Sequence, residues 1–295
     1  MTDDMRDKIA DGQGFLAALD QSGGSTPKAL AAYGVAEDTY SGEEEMFAAI
    51  HAMRTRVMTS PAFDGERILG AILFDRTMED QVEGVPTATY LWERKGIVPF
   101  LKVDKGLAGE ADGVQLMKPI GDLDDQLSRA SGHGVFGTKM RSVVKRADEA
   151  GIAAIVAQQF EVGTRILAAG LVPILEPEID IHSADKATSE QLLRDRIVEH
   201  LDRLPEGQQV MLKLSPPEQD GFYAPLIDHP AVLRVVALSG GHPREDANAI
   251  LARNPGLIAS FSRALLGELS FDQDAAAFDA TLDAAVRSIY DASVA

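Results

Sequence analysis

Short apolar segments recur along the chain, and each ends in polar or charged residues. Parallel strands that are buried on both faces are nearly all apolar, so these segments are predicted to be strands. They are Gly14–Asp20, Ile68–Asp75, Ile97–Asp104, Gly137–Val144, Leu171–Asp180, Gln209–Ser215, Val232–Gly241 and Leu257–Leu265.

The stretches between these segments show helical spacing of apolar residues. Glu43–Ser60 is the clearest case, and Pro61 ends it. A capping box of Thr188 and Gln191 predicts a helix over Ser189–Leu204. Pro243 is predicted to open a helix that runs to Leu251. Further predictions are a last helix within Asp272–Ala295, and loops with one short helix in Gly106–Gly137.

Alternation of strand and helix signals indicates a parallel sheet. Eight such units, with charges at the carboxyl ends of the strands, favour a (β/α)8 barrel over a doubly wound sheet. No linker, repeat or low-complexity segment interrupts the pattern. We therefore expect a single barrel domain over residues 1–295, with the C-terminal helix packed on it.

Composition narrows the class of protein. The chain has 295 residues, 45% of them hydrophobic and 25% charged, which suits a globular protein with a large core. It has no cysteine, so disulfide and thiolate chemistry are excluded, and this usage fits a reducing cytoplasm. A net charge of −18 argues against nucleic acid as a partner. Neither a signal peptide nor a membrane span is expected.

Two lysines stand within predicted strands. Lys213 lies between Leu212 and Leu214, so alternation turns it towards the barrel axis, and Lys139 ends another strand. An isolated buried charge is costly unless it is paired or used. The two ammonium groups are expected to approach each other and lower the pKa of one, which would make it a nucleophile. The alternative is a lysine paired with a carboxylate and inert.

Carboxylates lie at the ends of several predicted strands. Glu176 and Glu178 are two residues apart and therefore share a strand face, where they could serve as acid, base or charge partner, or simply as salt bridges. Asp20 ends the first strand and could be a second base. Lys102 and Asp104 are expected to form a pair.

Two glycine- and serine-rich segments could bind phosphate. The first follows Asp20 and contains Ser22 and Ser25. The second comprises Ser239, Gly240 and Gly241 before the Pro243 helix, together with Arg263 at the end of the last strand. Loops after strands seven and eight commonly form the phosphate site of such barrels. The alternative is an ordinary turn and a structural arginine. The six histidines form no pair with metal-ligand spacing, so a zinc site is not expected.

The motifs LAALDQSGGS, LKVDKG, GTKMRSV, VPILEPEI, MLKLSPP, ALSGG and SFSRAL occur in this order between about Gly12 and Gly267. In this respect the chain resembles class I fructose-1,6-bisphosphate aldolase of the short bacterial type. The resemblance implies a cofactor-free, cytoplasmic lyase of glycolysis and gluconeogenesis. It would cleave fructose 1,6-bisphosphate reversibly to glycerone phosphate and glyceraldehyde 3-phosphate. The implied partner is the sugar phosphate, with no nucleic acid or membrane, and the chain could form a homo-oligomer.

The resemblance also implies roles for single residues. Lys213 corresponds to the Schiff-base lysine, Lys139 and Glu176 to the residues that move protons, and Asp20 to the base that acts on the C4 hydroxyl. Lys102 and Arg141 resemble active-site cations. The remaining correspondences are the C1-phosphate site, with Ser239, Gly240 and Arg263, and the C6-phosphate contacts, with Ser22 and Ser25.

The chain departs from the animal members of the family at three places. Gln21 follows Asp20 where those enzymes have glutamate, and Ala29 follows Lys28 where they have a basic residue. The C-terminus lacks their long tail with a terminal tyrosine. Glu178 or Glu176 is therefore the candidate for handling the enamine proton.

Three other functions stay open on the sequence. They are another Schiff-base barrel lyase or transferase, a metal-dependent aldolase, and a sugar-phosphate sensor without catalysis.

Overall fold

The computed structural model describes residues 2–295 and contains a closed barrel of parallel strands. Each strand pairs with its neighbours in chain order, and pairing of the first with the eighth strand completes the ring. The (β/α)8 prediction is confirmed, and the doubly wound alternative is wrong. The strands are β1 Phe15–Leu19, β2 Ile68–Leu73, β3 Val98–Lys102, β4 Gly137–Val144, β5 Val172–Ile179, β6 Val210–Leu214, β7 Val232–Ala237 and β8 Ile258–Phe261.

Helices surround the barrel. They are α1 Thr2–Asp11, α2 Thr26–Ala32, α3 Gly42–Thr59, α4 Asp75–Glu79, α5 Thr87–Thr89, α6 Leu123–Gly132, α7 Glu149–Ala168, α8 Lys186–Leu201, α9 Ala224–Ile227, α10 Arg244–Leu251, α11 Arg263–Leu266 and α12 Ala275–Ser293. Short 3-10 turns occupy Gly23–Ser25 and Glu37–Thr39, and a π-helical turn spans Tyr90–Arg94. None of the helices within residues 2–295 is both long and apolar enough to cross a membrane.

Three predicted boundaries are wrong. α8 begins at Lys186 with Asp185 as its N-cap, before the expected capping box. Pro243 is the N-cap of α10 and not its first residue. Arg263 begins α11, since β8 already ends at Phe261.

Two short antiparallel pairings add to the barrel. Gln81–Val82 pairs with Val85–Pro86 in a hairpin. Val114–Gln115 pairs with the end of β4, within the segment that was predicted to be irregular. That segment also contains α6, the one short helix expected there.

The apolar core forms two layers. An outer layer between strands and helices includes Leu212 and Leu214 of β6, while Met211 belongs to the layer inside the barrel. Lys213 therefore points inward, as alternation predicts. Met5 and Ile9 of α1 pack on the inner layer, so α1 closes the end of the barrel where the strands begin. Side chains can reach solvent from the barrel interior only at the opposite end.

Candidate active site

The open end of the barrel contains a cavity of about 760 Å³. Strand ends from β1, β3, β4, β5 and β6 supply its charged lining. Nearly all the residues that the sequence singled out contact this cavity: Asp20, Ser22, Ser25, Lys102, Lys139, Arg141, Glu176, Glu178, Lys213, Ser239, Gly240 and Arg263. Gly241 lines an adjoining cavity of about 190 Å³, together with Ser239 and Arg263.

A groove of about 800 Å³ between α10 and α12 is slightly larger. It is open and is lined mainly by alanines and surface charges. The cavity at the barrel mouth is the one that gathers buried ionisable groups, which are the usual mark of a catalytic centre. We therefore place the candidate site there.

A buried chain of ion pairs lies at the bottom of the cavity. The Lys139 Nζ is 2.6 Å from Asp20 Oδ2 and 2.9 Å from Glu176 Oε2. The other oxygen of Glu176, Oε1, is 3.0 Å from Lys213 Nζ. Lys139, Glu176 and Lys213 are each less than 5% exposed. Glu176 thus bridges the two lysines, which come from β4 and β6.

These contacts fix two charge states. Burial alone would raise the pKa of Asp20, but the positive charges of Lys139 and Lys213 outweigh it and hold the pKa well below its usual value. Burial alone would lower the pKa of Lys139, but the carboxylates of Asp20 and Glu176 raise it instead. The expectation that a neighbouring ammonium lowers a lysine pKa is therefore wrong for Lys139, because carboxylates surround it.

A second set of ion pairs lies nearer to solvent. The Lys102 Nζ is 2.8 Å from Asp104 Oδ1, which is the expected pair. The Asp104 Oδ2 also accepts from the backbone N–H of Arg141. Arg141 pairs through its Nε with Glu178. Of the two glutamates on β5, Glu176 therefore pairs with the two lysines, and Glu178 pairs with Arg141.

The two candidate phosphate-binding segments lie on the rim of the cavity. In the first, the Ser25 hydroxyl accepts from the N–H of Ser22 and donates to its carbonyl. In the second, Gly240 has a φ of +63°, and a Cβ there would lie 2.6 Å from Ile181 Cγ2. Only glycine fits that position. Gly240 lines the cavity together with Ser239 and Arg263.

Sequence reasoning missed three residues near the site. Arg54 of α3 is completely buried and donates to the carbonyl of Gln21 at 2.5 Å. Gln21 in turn donates to the Ser262 hydroxyl, and both line the cavity. Arg54 could have been found, because it falls on the face of α3 that carries Ile50 and Val57. The role of Gln21 depends on a contact between distant segments, which the sequence does not encode locally.

Fold and site together define a (β/α)8 barrel enzyme with buried lysines and carboxylates at its open end. The rim of this end also has cationic and glycine-rich segments that suit anions. Comparisons with known proteins agree with this class. The family model "Fructose-bisphosphate aldolase class-I" matches residues 2–213.

Two curated relatives are similar over nearly their whole length. Fructose-bisphosphate aldolase class 1 of Synechocystis sp. is 59% identical over 287 residues, which are 97% of this chain and 96% of the relative. The protein of the same name from Porphyromonas gingivalis is 58% identical over 281 residues, 95% of each chain. The chain belongs to the class I fructose-bisphosphate aldolase family, whose members are lyases.

A solved structure gives the same fold at much lower sequence identity. The fructose-bisphosphate aldolase of Plasmodium falciparum, solved in complex with TRAP and a small-molecule inhibitor, superposes with a TM-score of 0.76 at 21% identity. The match covers 99% of this chain and 94% of the other. This supports the barrel architecture independently of close sequence similarity.

Proposed function

We propose that Lys213 is the amine that forms the Schiff base, and that Glu176, Lys139 and Asp20 move and hold the protons. As a class I fructose-bisphosphate aldolase, the protein cleaves fructose 1,6-bisphosphate reversibly to glycerone phosphate and glyceraldehyde 3-phosphate, without a metal. The observation that carries the assignment is the bridge from Lys213 through Glu176 to Lys139.

The reaction begins when the Lys213 nitrogen, in its neutral form, attacks the C2 carbonyl of the ketose. The carbinolamine that forms must lose its hydroxyl as water, which requires a proton on that oxygen. Glu176 is next to this nitrogen, so it can take one proton from the Lys213 ammonium before the attack and deliver that proton to the leaving hydroxyl afterwards. The product is a protonated imine on Lys213.

The protonated imine then serves as the electron sink. Cleavage of the C3–C4 bond sends its electron pair towards the imine nitrogen, giving an enamine, while the C4 oxygen becomes an aldehyde. Asp20 takes the C4 hydroxyl proton in this step. Its low pKa keeps it ionised before the step. Because an ionised carboxylate of low pKa is a weak base, transfer occurs only as C–C cleavage makes the hydroxyl strongly acidic.

The remaining groups neutralise charge and complete the proton transfers. Lys139 stays protonated, so it neutralises Asp20 and Glu176 instead of attacking the substrate. We assign protonation of the enamine at C3 to Glu176, because Glu178 is engaged by Arg141. Glu176 gave up its proton during dehydration, so it first takes another from solvent, and Asp20 returns the C4 proton to solvent. Hydrolysis of the resulting imine releases glycerone phosphate and restores Lys213.

The two rim segments are assigned to the two phosphates. Ser239, Gly240, Gly241 and Arg263 would bind the phosphate on C1, since a backbone N–H cradle and a guanidinium suit an anion. Ser22 and Ser25 would bind the phosphate on C6. Lys102 and Arg141 also line the cavity and would contact the sugar chain.

Location and assembly complete the proposal. A bisphosphorylated sugar does not cross membranes, and the chain has no cysteine, so we propose a cytoplasmic location. We further propose that residues 1–295 work as a single domain and assemble into a homo-oligomer. Light scattering coupled to gel filtration tests the assembly, and a monomer at all concentrations would contradict it.

Replacing Lys213 tests the function. We expect Lys213→Met to lower turnover by at least roughly 10³-fold, because the covalent route is lost. Lys145→Met is the control, since it removes a lysine that follows β4 and pairs with Asp180; its activity should stay near the wild-type value. Cleavage of fructose 1,6-bisphosphate in a coupled assay measures both. Substantial activity of folded Lys213→Met would refute the assignment.

A further inference from the structure

Arg54 is a buried cation that the reaction steps above do not use. Its side chain is 0% exposed, although it comes from the helix α3 outside the barrel. The Nη1 donates to the Thr77 hydroxyl at 2.7 Å and the Nη2 to the carbonyl of Gln21 at 2.5 Å. Burying a guanidinium is costly. Here its hydrogen-bond partners are a hydroxyl and a carbonyl, and the Asp20 carboxylate acts on it through its charge. A buried guanidinium of this kind is expected to fix the position of the backbone that it contacts.

Gln21 extends this contact across the cavity. Its Oε1 lies 3.4 Å from Arg54 Nη2, and its Nε2 donates to the Ser262 hydroxyl at 2.5 Å. Ser262 directly precedes Arg263. A chain of hydrogen bonds therefore runs from α3 through the end of β1 to the end of β8. It connects the segment that carries Ser22 and Ser25 to the segment that carries Arg263.

The Ser22–Ser25 turn joins β1 to α2 at the rim of the cavity. The hydrogen bonds of its serines are internal to the turn, and they are exposed. Asp20, by contrast, is held independently, because its carboxylate pairs with Lys139. Loss of the Arg54 and Gln21 contacts would thus release the turn and leave the catalytic carboxylate in place.

We propose that Arg54 and Gln21 are positioning residues that fix the distance between the two phosphate-binding ends of the site, and that they thereby set the preference for a substrate with two phosphates. This inference rests on the proposed function, which assigns one phosphate to each end. Neither side chain needs to touch the substrate for the effect, since both act through the turn and through Ser262.

Kinetics with two substrates test the proposal. Fructose 1-phosphate lacks the phosphate that the Ser22–Ser25 turn would bind, so it reports on the chemistry and on the C1-phosphate end without the C6-phosphate end. We expect Arg54→Met to raise KM for fructose 1,6-bisphosphate by about tenfold, the effect of losing a hydrogen bond to a charged group. The kcat for the bisphosphate and the kcat/KM for fructose 1-phosphate should both stay within about twofold. Arg54→Lys should recover part of the KM, because one ammonium can still reach the Gln21 carbonyl.

A fall in kcat with unchanged KM, or an equal loss for both substrates, would overturn the proposal. Gln21→Met gives a second route, because it removes the Ser262 contact without emptying the buried Arg54 site. It should raise KM for the bisphosphate in the same way, whether or not Arg54→Met folds. An unchanged KM in Gln21→Met would also count against the proposal.

Arg56→Met is the matched control. Arg56 lies on the same helix but donates to Tyr33 Oη and to the carbonyl of Phe271, away from Gln21. Its loss should lower the melting temperature without changing KM, which separates positioning from general destabilisation. A KM increase in Arg56→Met equal to that in Arg54→Met would contradict a specific role.

Failure of this inference is distinguishable from failure of the proposed function. Glycerone phosphate has one phosphate, so its reductive trapping on Lys213 should be as efficient in Arg54→Met as in the wild type. Loss of trapping in the wild type itself would refute the proposed function instead.

Discussion

At the scale of single residues, charge balance decides what each group of the site can do. Within residues 2–295, Lys139 has two carboxylates at ion-pair distance, whereas Lys213 has Glu176 alone. That difference assigns a permanent charge to Lys139 and leaves Lys213 to react. The sequence placed both lysines inside the barrel by strand alternation, but it could not predict which carboxylate each would meet.

Asp20 is expected to stabilise the folded protein except in strong acid. Its pKa is lowered from 3.8 on folding, so its contribution is complete above that value and is lost as pH falls through the lower folded pKa. Asp20→Asn should therefore cost roughly 3 kcal/mol of unfolding free energy at pH 7, the effect of breaking a buried pair. The deficit should shrink only below about pH 4. Denaturant unfolding across pH measures it.

Asp180→Asn provides the comparison. Asp180 pairs with Lys145 at 3.0 Å on a partly exposed surface, so its loss should cost less than about 1 kcal/mol. A deficit for Asp20→Asn that disappeared between pH 5 and 9 would contradict the lowered pKa.

At the scale of elements, strands were easier to predict than helix starts. All eight strands were found, because apolar runs bounded by charges leave little alternative in a parallel sheet. The first residue of a helix is harder to predict, because few residues mark it in the sequence. Thr188 and Gln191 have the residue types of a capping box, yet α8 begins at Lys186 with Asp185 as its N-cap. α1 was missed because its apolar residues are few and gain their burial from the barrel.

The cap of α7 offers a test at this scale. Asp148 Oδ1 accepts from the backbone N–H of Gly151 at 2.9 Å. Asp148→Ala should lower the unfolding free energy by about 1 kcal/mol and leave kcat/KM unchanged. Ser41→Ala is the control, because Ser41 is the N-cap of α3 but its side chain makes no capping bond. Equal losses in the two variants would show that capping is not the cause.

At the scale of the whole molecule, the two ends of the barrel have separate tasks. α1 closes one end with apolar side chains, and the other end holds the ionisable groups. The fold, and every charged residue that lines the cavity except Lys28, followed from the sequence. The chain of hydrogen bonds from Arg54 through Gln21 to Ser262 did not, because it joins segments that are 33 and 241 residues apart.

Weakening the packing of α1 in the closed end of the barrel tests whether the two ends have separate tasks. Ile9 is fully buried, so Ile9→Ala should cost about 2–5 kcal/mol of stability. Turnover at a temperature where the variant is folded should not change, since the site is at the opposite end. Asp7→Ala, an exposed change on the same helix, should stay within about 0.5 kcal/mol. A large fall in kcat for folded Ile9→Ala would contradict the separation of tasks.

The central claim is that Lys213 is the nucleophile. Incubation of the wild-type protein with glycerone phosphate and borohydride, followed by intact mass measurement and peptide mapping, tests it most directly. Borohydride reduces an imine to a stable secondary amine, so the modified lysine can be identified. We expect one adduct per chain, on Lys213. An adduct on Lys139, or none on a folded protein that binds glycerone phosphate, would contradict it.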